Sequence, residues 1–459
     1  MYKIDFQHPL HVHFIGIGGI SMSGLAEILL KENFTISGSD MKPTDLTKHL
    51  ESLGATVFYP QKASNVINGI DVVVYTAAIR ENNEEFMEVK RQNLPMLTRA
   101  ELLGQLMKNY ATPIAVSGTH GKTTTTSMLS HILLAAEKDP TISVGGILPA
   151  IGGNIRVGNS DVFITEACEY TNSFLDFFPK IGIILNVEED HLDFFKDIDD
   201  IRSSFHRFAA LLPKDGALII NKNIEKIEAI TDGLSCRVIT YSETQNADYS
   251  AADITFDELG NASFDLIKFG KNAGRITLSV AGNHNVSNAL STIAAADLLN
   301  ISLETIQNGI LSFTGTDRRF QYKGQRNGVT IIDDYAHHPT EIRATLTSAQ
   351  NYPHRDIWCI FQPHTYTRTK AFFHEFAEAL SLADHVILAD IYAARETDTL
   401  GMSSEALADA VKALGTDAYY LPSFEAIENF VLEKCIHGDV LITMGAGDVV
   451  NIGNSLIAQ

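Results

Sequence analysis

The sequence predicts an α/β chain of three domains, and three observations lead there. Short apolar runs of strand type alternate with helix-period segments along nearly the whole chain. Two of those runs end in glycine turns that open directly into helical patterns, at residues 16–19 and 118–121. The length of 459 residues is about three times the roughly 150 residues of a typical domain. Strands that alternate with helices imply mostly parallel sheets.

Composition narrows the function classes. Hydrophobic residues make up 45% and charged residues 20% of the chain, a balance that builds full cores at this size. The net charge of −21 argues against a general nucleic-acid or membrane-surface binder. An anionic small substrate is still admissible, because it needs only a local site. The four cysteines, Cys168, Cys236, Cys359 and Cys435, form no C-x-x-C pair. Neither a zinc site nor a disulfide framework is expected, and a reducing cytoplasm is the simplest setting. The N-terminus lacks the charged-then-apolar pattern of a secretion signal. The apolar run from Val12 to Leu30 contains His13, Glu27 and four glycines, so it reads as strand, turn and helix rather than a membrane span.

In chain order, His11 to Ile15 reads as a short buried strand, followed by Gly16-Ile17-Gly18-Gly19 and a helix from about Ser21 to Lys31. A second strand ends near Ser37-Gly38-Ser39-Asp40. This is the opening of a Rossmann-like unit. The sixth position of its dinucleotide fingerprint holds Ser21 in place of glycine, so the match is partial. Asp40 stands where an acid would hold a ribose; the alternative is a loop cap. A strand over residues 71–76, a helix over 84–91, a strand at 95–99 and a helix near 100–108 complete a first domain, 1–108.

The apolar run Pro113 to Val116 feeds Ser117-Gly118-Thr119-His120-Gly121-Lys122-Thr123-Thr124. Met128, Leu129, Ile132, Leu133 and Ala136 then recur at helical spacing. Strand, glycine loop and helix start make a phosphate cradle, with unpaired N–H groups and a positive dipole end. Lys122 can reach the β/γ phosphates, and the Thr123 hydroxyl can ligate Mg²⁺. The loop is shorter than the standard pattern, which has a glycine where Val116 stands. Asp161 to Glu166 is a strand that delivers an acid at its C-terminal end, where ligands of open α/β sheets gather. Ile181 to Asn186 is another, followed by Val187-Glu188-Glu189-Asp190-His191-Leu192-Asp193. Oxygen and imidazole groups of this kind suit Mg²⁺ or Mn²⁺. Glu166 read alone could be a solvated loop acid, and His191 alone a structural histidine.

Residues 215–280 alternate short strands and turns. Gly282 to Asn288 opens an alanine-rich helix, on which Asn288 could meet a base or cap the helix. The central domain is placed at 109–314 and the last at 315–459. Within the last, Gly315 to Phe320 is a basic loop, and Val329 to Tyr335 is a strand ending in acids. Ala336-His337-His338-Pro339-Thr340-Glu341 leads into a helix. Strands at 357–361, 386–391 and 440–444 continue the alternation, the first leading to Gln362-Pro363-His364-Thr365-Tyr366-Thr367-Arg368.

Taken in order, these stretches resemble the Mur ligases of peptidoglycan synthesis over nearly the whole chain. The markers are His13 to Gly19 with Met22-Ser23-Gly24, Gly118 to Thr124, Glu166-Ala167-Cys168-Glu169 with Ser173-Phe174, and Asn186 to Asp193. They continue with Gly282 to Asn288, Gly315 to Phe320, Asp333 to Glu341 and Phe361 to Arg368. The resemblance implies a Rossmann-like N-terminal domain for a UDP-sugar and a central P-loop ATPase-type domain for ATP and metal. The C-terminal domain would be Rossmann-like and bind ATP and the amino acid. It implies an ATP- and Mg²⁺-dependent (Mn²⁺ as substitute) joining of L-alanine to the lactyl carboxylate of UDP-N-acetylmuramate through an acyl phosphate, by a monomer or homodimer in the cytoplasm. By resemblance, Lys122 contacts phosphates within the ATP loop Gly118, Thr119, His120, Gly121, Thr123 and Thr124. Thr123 and Glu166 hold one metal, and His191 helps hold a second. Asn288, Arg319 and Asp334 meet the nucleotide, and His338 and Arg368 lie near the amino acid. Gly16, Gly18, Gly19 and Asp40 face the UDP part, with Arg99, Asn172 and His120 as further sugar-nucleotide contacts.

Two departures stand out. The family often has Glu-Ala-Asp-Glu where this chain has Cys168 in third place, and Arg202 to His206 offers no lysine of the kind some sister ligases carbamylate. Three rival readings are weighed: the recycling ligase that adds a murein tripeptide, an NAD(P)-dependent oxidoreductase, and a non-catalytic nucleotide sensor. Gly16-Ile17-Gly18-Gly19 lacks the cysteine typical of the recycling loop. The broken fingerprint at Ser21 counts against the oxidoreductase, and the set Lys122, Thr123, Glu166 and His191 counts against the sensor.

Overall fold

The computed structural model describes residues 2–458 apart from 77, 395, 398 and 399. It is an α/β chain whose contacts gather into two compact units. Residues 1–188, 198–240 and 291–309 form the first, and residues 189–197, 241–290 and 310–459 the second.

The first unit opens with a five-stranded sheet. Its strands, in spatial order, are Thr56–Phe58, Thr35–Ser39, His11–Ile15, Val72–Tyr75 and Met96–Thr98. All are parallel, with the order reversal at His11–Ile15 that defines the Rossmann arrangement. Val12, Phe14, Val72, Val73 and Val74 are fully buried, as expected of strands covered on both faces. The helices Ile20–Lys31, Glu84–Arg91 and Arg99–Met107 fall where the periodicity put them.

The same unit holds the phosphate-loop sheet. Ala217–Asn221, Ile181–Ile184, Thr112–Ser117, Val162–Ala167 and Thr141–Leu148 run parallel in that order. The short strand Gly153–Arg156 pairs antiparallel with Thr141–Leu148, a hairpin that the glycines at 145, 146, 152 and 153 hid from any alternation count. Two helix glycines fasten this sheet to the first one. A Cβ on Gly24 would lie 2.0 Å from Ile155 Cγ1, and one on Gly104 would lie 1.9 Å from the carbonyl oxygen of Asp176. Backbone and side chain therefore approach where any other residue would collide.

In the second unit, Tyr249–Phe256, Asn261–Lys268 and Lys271–Ala281 form an antiparallel ribbon. A further sheet runs Gln321–Arg326, Val329–Asp334, Val440–Met444, Ile357–Phe361, His385–Leu388 and Asp417–Tyr420, with only the first strand antiparallel. Alternate residues serve opposite faces. Ile332, Phe361 and Ile442 join one core, and Ile331, Ile360 and Leu441 the other. Among the described residues no helix is long and apolar enough to cross a membrane.

Candidate active site

The phosphate loop of the first unit is built from strand register. Val116 pairs with Glu166, and Ser117 pairs with both Ala167 and Ile184, so three carboxyl ends finish level. Gly118 follows with φ +143°, where a Cβ would lie 2.9 Å from Leu185 Cβ, and Gly121 sits left-handed at φ +83° before the helix Lys122–Ala135. Among the described residues no side chain caps that helix start, and the first N–H groups of a helix have no partner within the helix itself.

Asn186 locks the loop. Its Oδ1 accepts the His120 N–H at 2.7 Å, its Nδ2 donates to the His120 carbonyl at 3.1 Å, and its own carbonyl accepts the Thr119 N–H at 3.2 Å. The Glu188 N–H donates to Thr119 Oγ1 at 3.0 Å. Lys122 Nζ donates to the carbonyls of Gly118 at 2.5 Å and Thr119 at 3.0 Å and to Glu169 Oε2 at 3.0 Å. Burial alone would weaken its charge, but the Glu169 carboxylate outweighs that and holds its pKa above the ordinary lysine value. Thr123 Oγ1 donates to Glu166 Oε2 at 3.1 Å, and the other Glu166 oxygen accepts the Gly145 N–H at 2.5 Å. A hydroxyl and a carboxylate side by side are hard oxygen donors, the set that Mg²⁺ takes, so these residues fit that ion. Cys168 is a free thiol whose pKa burial and Glu169 raise, with Lys122 and Arg99 as neighbouring cations. The acid opposite Lys122 in this chain is thus Glu169.

Gly16, Gly18 and Gly19 lie in the turn after His11–Ile15. Gly16 has φ +86°, and its N–H donates to the Ser39 carbonyl at 2.9 Å. Asp40 accepts the Gly18 N–H at 2.8 Å, so its carboxylate braces the glycine turn. Asn172 is left-handed (φ 59°) and accepts a hydrogen bond from the Ser204 hydroxyl. Arg99 is half-buried, and burial lowers its pKa from the usual guanidinium value.

His191, His338 and Arg368 come together in the second unit. His338 caps the helix Pro339–Gln350: its Nδ1 accepts the Thr340 N–H at 3.3 Å. That leaves the hydrogen on Nε2, which donates to the Glu189 carbonyl at 3.1 Å. Arg368 pairs with the buried Asp190 at 3.0 Å. His191 is left-handed at φ +53°, and its N–H donates to Asp190 Oδ1 at 2.8 Å. Asp334 turns both oxygens to backbone, accepting the Phe320 N–H and the Ala336 N–H at 2.7 Å each. It thereby pins the basic loop to the strand end. Arg319 lies 3.9 Å from Glu341 and over the Tyr335 ring. Asn288 Nδ2 donates to Asn285 Oδ1 at 3.0 Å.

Burial carries the Asp334 pKa up to about 6, and carries those of His337 and His364 from 6.5 down to about 4. Between pH 6.5 and 4 the unfolded chain takes protons on both imidazoles that the fold refuses, so stability falls as pH falls. Asp334 acts the other way, because the fold keeps its proton up to about pH 6. Urea midpoints at pH 6.5 and 4.5 should therefore drop on acidification. The drop should be shallower in His337→Gln/His364→Gln and steeper in Asp334→Asn.

Three family models cover the chain: the Mur ligase family catalytic domain at residues 11–111, the Mur ligase middle domain at 116–296, and the Mur ligase glutamate ligase domain at 318–447. The chain belongs to the Mur ligase family. A UDP-N-acetylmuramate–L-alanine ligase of Agathobacter rectalis is 60% identical over 459 residues, covering all of both chains. The crystal structure of the UDP-N-acetylmuramate–alanine ligase MurC of Thermotoga maritima matches with TM-score 0.80 at 30% identity over 98% of each chain. A murein peptide ligase of Psychrobacter arcticus matches with TM-score 0.69 at 25% identity, again over 98% of each. Sequence reasoning missed several contacts around the candidate residues of this Mur ligase chain: Glu169 with Lys122, Asn186 with the His120 backbone, the Gly145 N–H with Glu166, and Asp190 with Arg368. Asn186 follows directly on the residues of an apolar strand, and Glu169, Asn186 and Asp190 lie within the quoted marker stretches, but neither signal names their partners.

Proposed function

We propose that this chain joins L-alanine to the lactyl carboxylate of UDP-N-acetylmuramate, converting ATP to ADP and phosphate through an acyl phosphate, in the cytoplasm. One observation carries the reading: a relative of that name corresponds to the chain from end to end at 60% identity. The Lys122, Thr123 and Glu166 grouping gives it a chemical basis.

A carboxylate is a poor electrophile, and transfer of the γ-phosphoryl group supplies a leaving group. Such a transfer depends on positioning and charge neutralisation more than on covalent chemistry. Lys122, released from its loop carbonyls, places a cation at the β/γ phosphates. The loop N–H groups from Gly118 to Thr124, His120 included, hold the phosphate oxygens. Thr123 and Glu166 would hold Mg²⁺, with His191 as a ligand of a second ion; bound metal would neutralise charge on the transferring group. Asn288, Arg319 and Asp334 serve the nucleotide, Asp334 by fixing the loop that carries Arg319. Gly16, Gly18, Gly19, Asp40, Arg99 and Asn172 serve the sugar nucleotide. His338 and Arg368 serve the amino acid, Arg368 through its carboxylate. The proposed domains are 1–108, 109–314 and 315–459.

Phosphate release from ATP with UDP-N-acetylmuramate present tests the reading. Release that depends on L-alanine is expected. Release only with the murein tripeptide would assign the chain to recycling, and release with no acceptor dependence at all would remove the ligase reading.

A further inference from the structure

We propose that Asp190 is the positioning residue of the amino-acid site, setting the guanidinium of Arg368 for recognition of the entering carboxylate. The inference rests on the reading of Arg368 given above and deepens it.

Arg368 approaches Asp190 side-on. Its Nε and Nη2 both donate to Asp190 Oδ1, at 3.2 and 3.0 Å. On the far side Nη1 donates to His364 Nδ1 at 3.1 Å. That nitrogen must be an acceptor, and the low pKa of His364 keeps it one. A planar fork tied on two sides has lost its rotational freedom before any ligand arrives, and the remaining N–H groups of Nη1 and Nη2 project in a fixed direction. Asp190 is itself fixed, since the His191 N–H donates to the same oxygen at 2.8 Å. The pair is largely out of water, with side chains about one-tenth exposed, so solvent screening is weak and the alignment persists.

The grip takes two consecutive residues, and a third follows at a turn. His338 Nε2 holds the Glu189 carbonyl, Arg368 holds the Asp190 carboxylate, and His191 follows in a left-handed turn. The two side chains expected at the amino acid are the two that clasp this segment. A substrate carboxylate that meets Arg368 therefore meets a guanidinium whose plane is set by Asp190.

The test is discrimination between L-alanine and L-alaninamide, which differ only in the carboxylate, read as the ratio of their kcat/KM values. The native enzyme should prefer alanine strongly, and Arg368→Ala should abolish the preference. Asp190→Asn keeps the shape and removes the charge. It should lower the ratio at least tenfold, through the KM for alanine, with the KM for ATP unchanged. A loss of fold quality alone would slow both acceptors equally and leave the ratio in place. If Arg368→Ala leaves the ratio intact, the reading of Arg368 fails and this inference with it. If Arg368→Ala abolishes the preference but Asp190→Asn leaves or raises it, the inference alone is overturned. Should Asp190→Asn not accumulate as folded protein, Asp190→Glu displaces the charge by one methylene. A lowered ratio there supports the assignment, and an unchanged one overturns it.

Discussion

Lys122→Ala is expected to lower acceptor-dependent phosphate release by about 10³-fold, the scale at which a preorganised charge acts on a transition state. Binding of the sugar nucleotide should persist, because Gly16, Gly18 and Gly19, proposed to serve it, follow a strand of a different sheet. The variant also strips Glu169, only 3% exposed, of its cation. A buried carboxylate robbed of its partner costs roughly 3–5 kcal/mol, so the single variant should unfold at lower urea. Lys122→Ala/Glu169→Gln should recover most of that stability and none of the turnover. Turnover that survives in the double variant would remove Lys122 from the chemistry.

The second large effect is structural. Gly104→Ala places a Cβ 1.9 Å from the Asp176 carbonyl oxygen, and a backbone atom cannot swing aside as a side chain would. The helix Arg99–Met107 or the Tyr170–Asp176 turn must move. Overpacking of this kind costs about 3 kcal/mol. Gly153→Ala is the control: nothing lies within 4 Å of its added Cβ, so its unfolding free energy should stay within about 0.5 kcal/mol of the parent. Equal midpoints for the two variants would show that the close approach carries no such cost.

The three-domain α/β organisation and the phosphate loop were legible because their signals are local. Strand, glycine turn, Gly121-Lys122-Thr123 and helical periodicity all lie within about two dozen residues. Asp40 was legible as an acid at a strand end, but not its bond to the Gly18 N–H. The partners that hold the site rigid are remote: Glu169 lies 47 residues from Lys122, Asn186 lies 66 from His120, and Asp190 lies 178 from Arg368. Nothing in a single chain marks such pairs, because each acid or amide has dozens of equivalents along the sequence. The hairpin over residues 141–156 was hidden for a different reason, since its glycines erase the alternation by which strands are recognised.

The contacts at Gly24 and Gly104 bear on how a long substrate is used. They leave no room for a methyl group, so the sheet proposed to anchor the nucleotide end and the sheet that carries the phosphate loop are in direct contact through those two helices. A molecule tethered at one end presents its other end as if highly concentrated, and sites whose spacing the fold has already set reduce the further ordering that reaction demands. On the proposed reading, the reach between the bound diphosphate and its distal carboxylate becomes a length that the fold can select. A sugar nucleotide with a shorter arm would bind as well and react poorly.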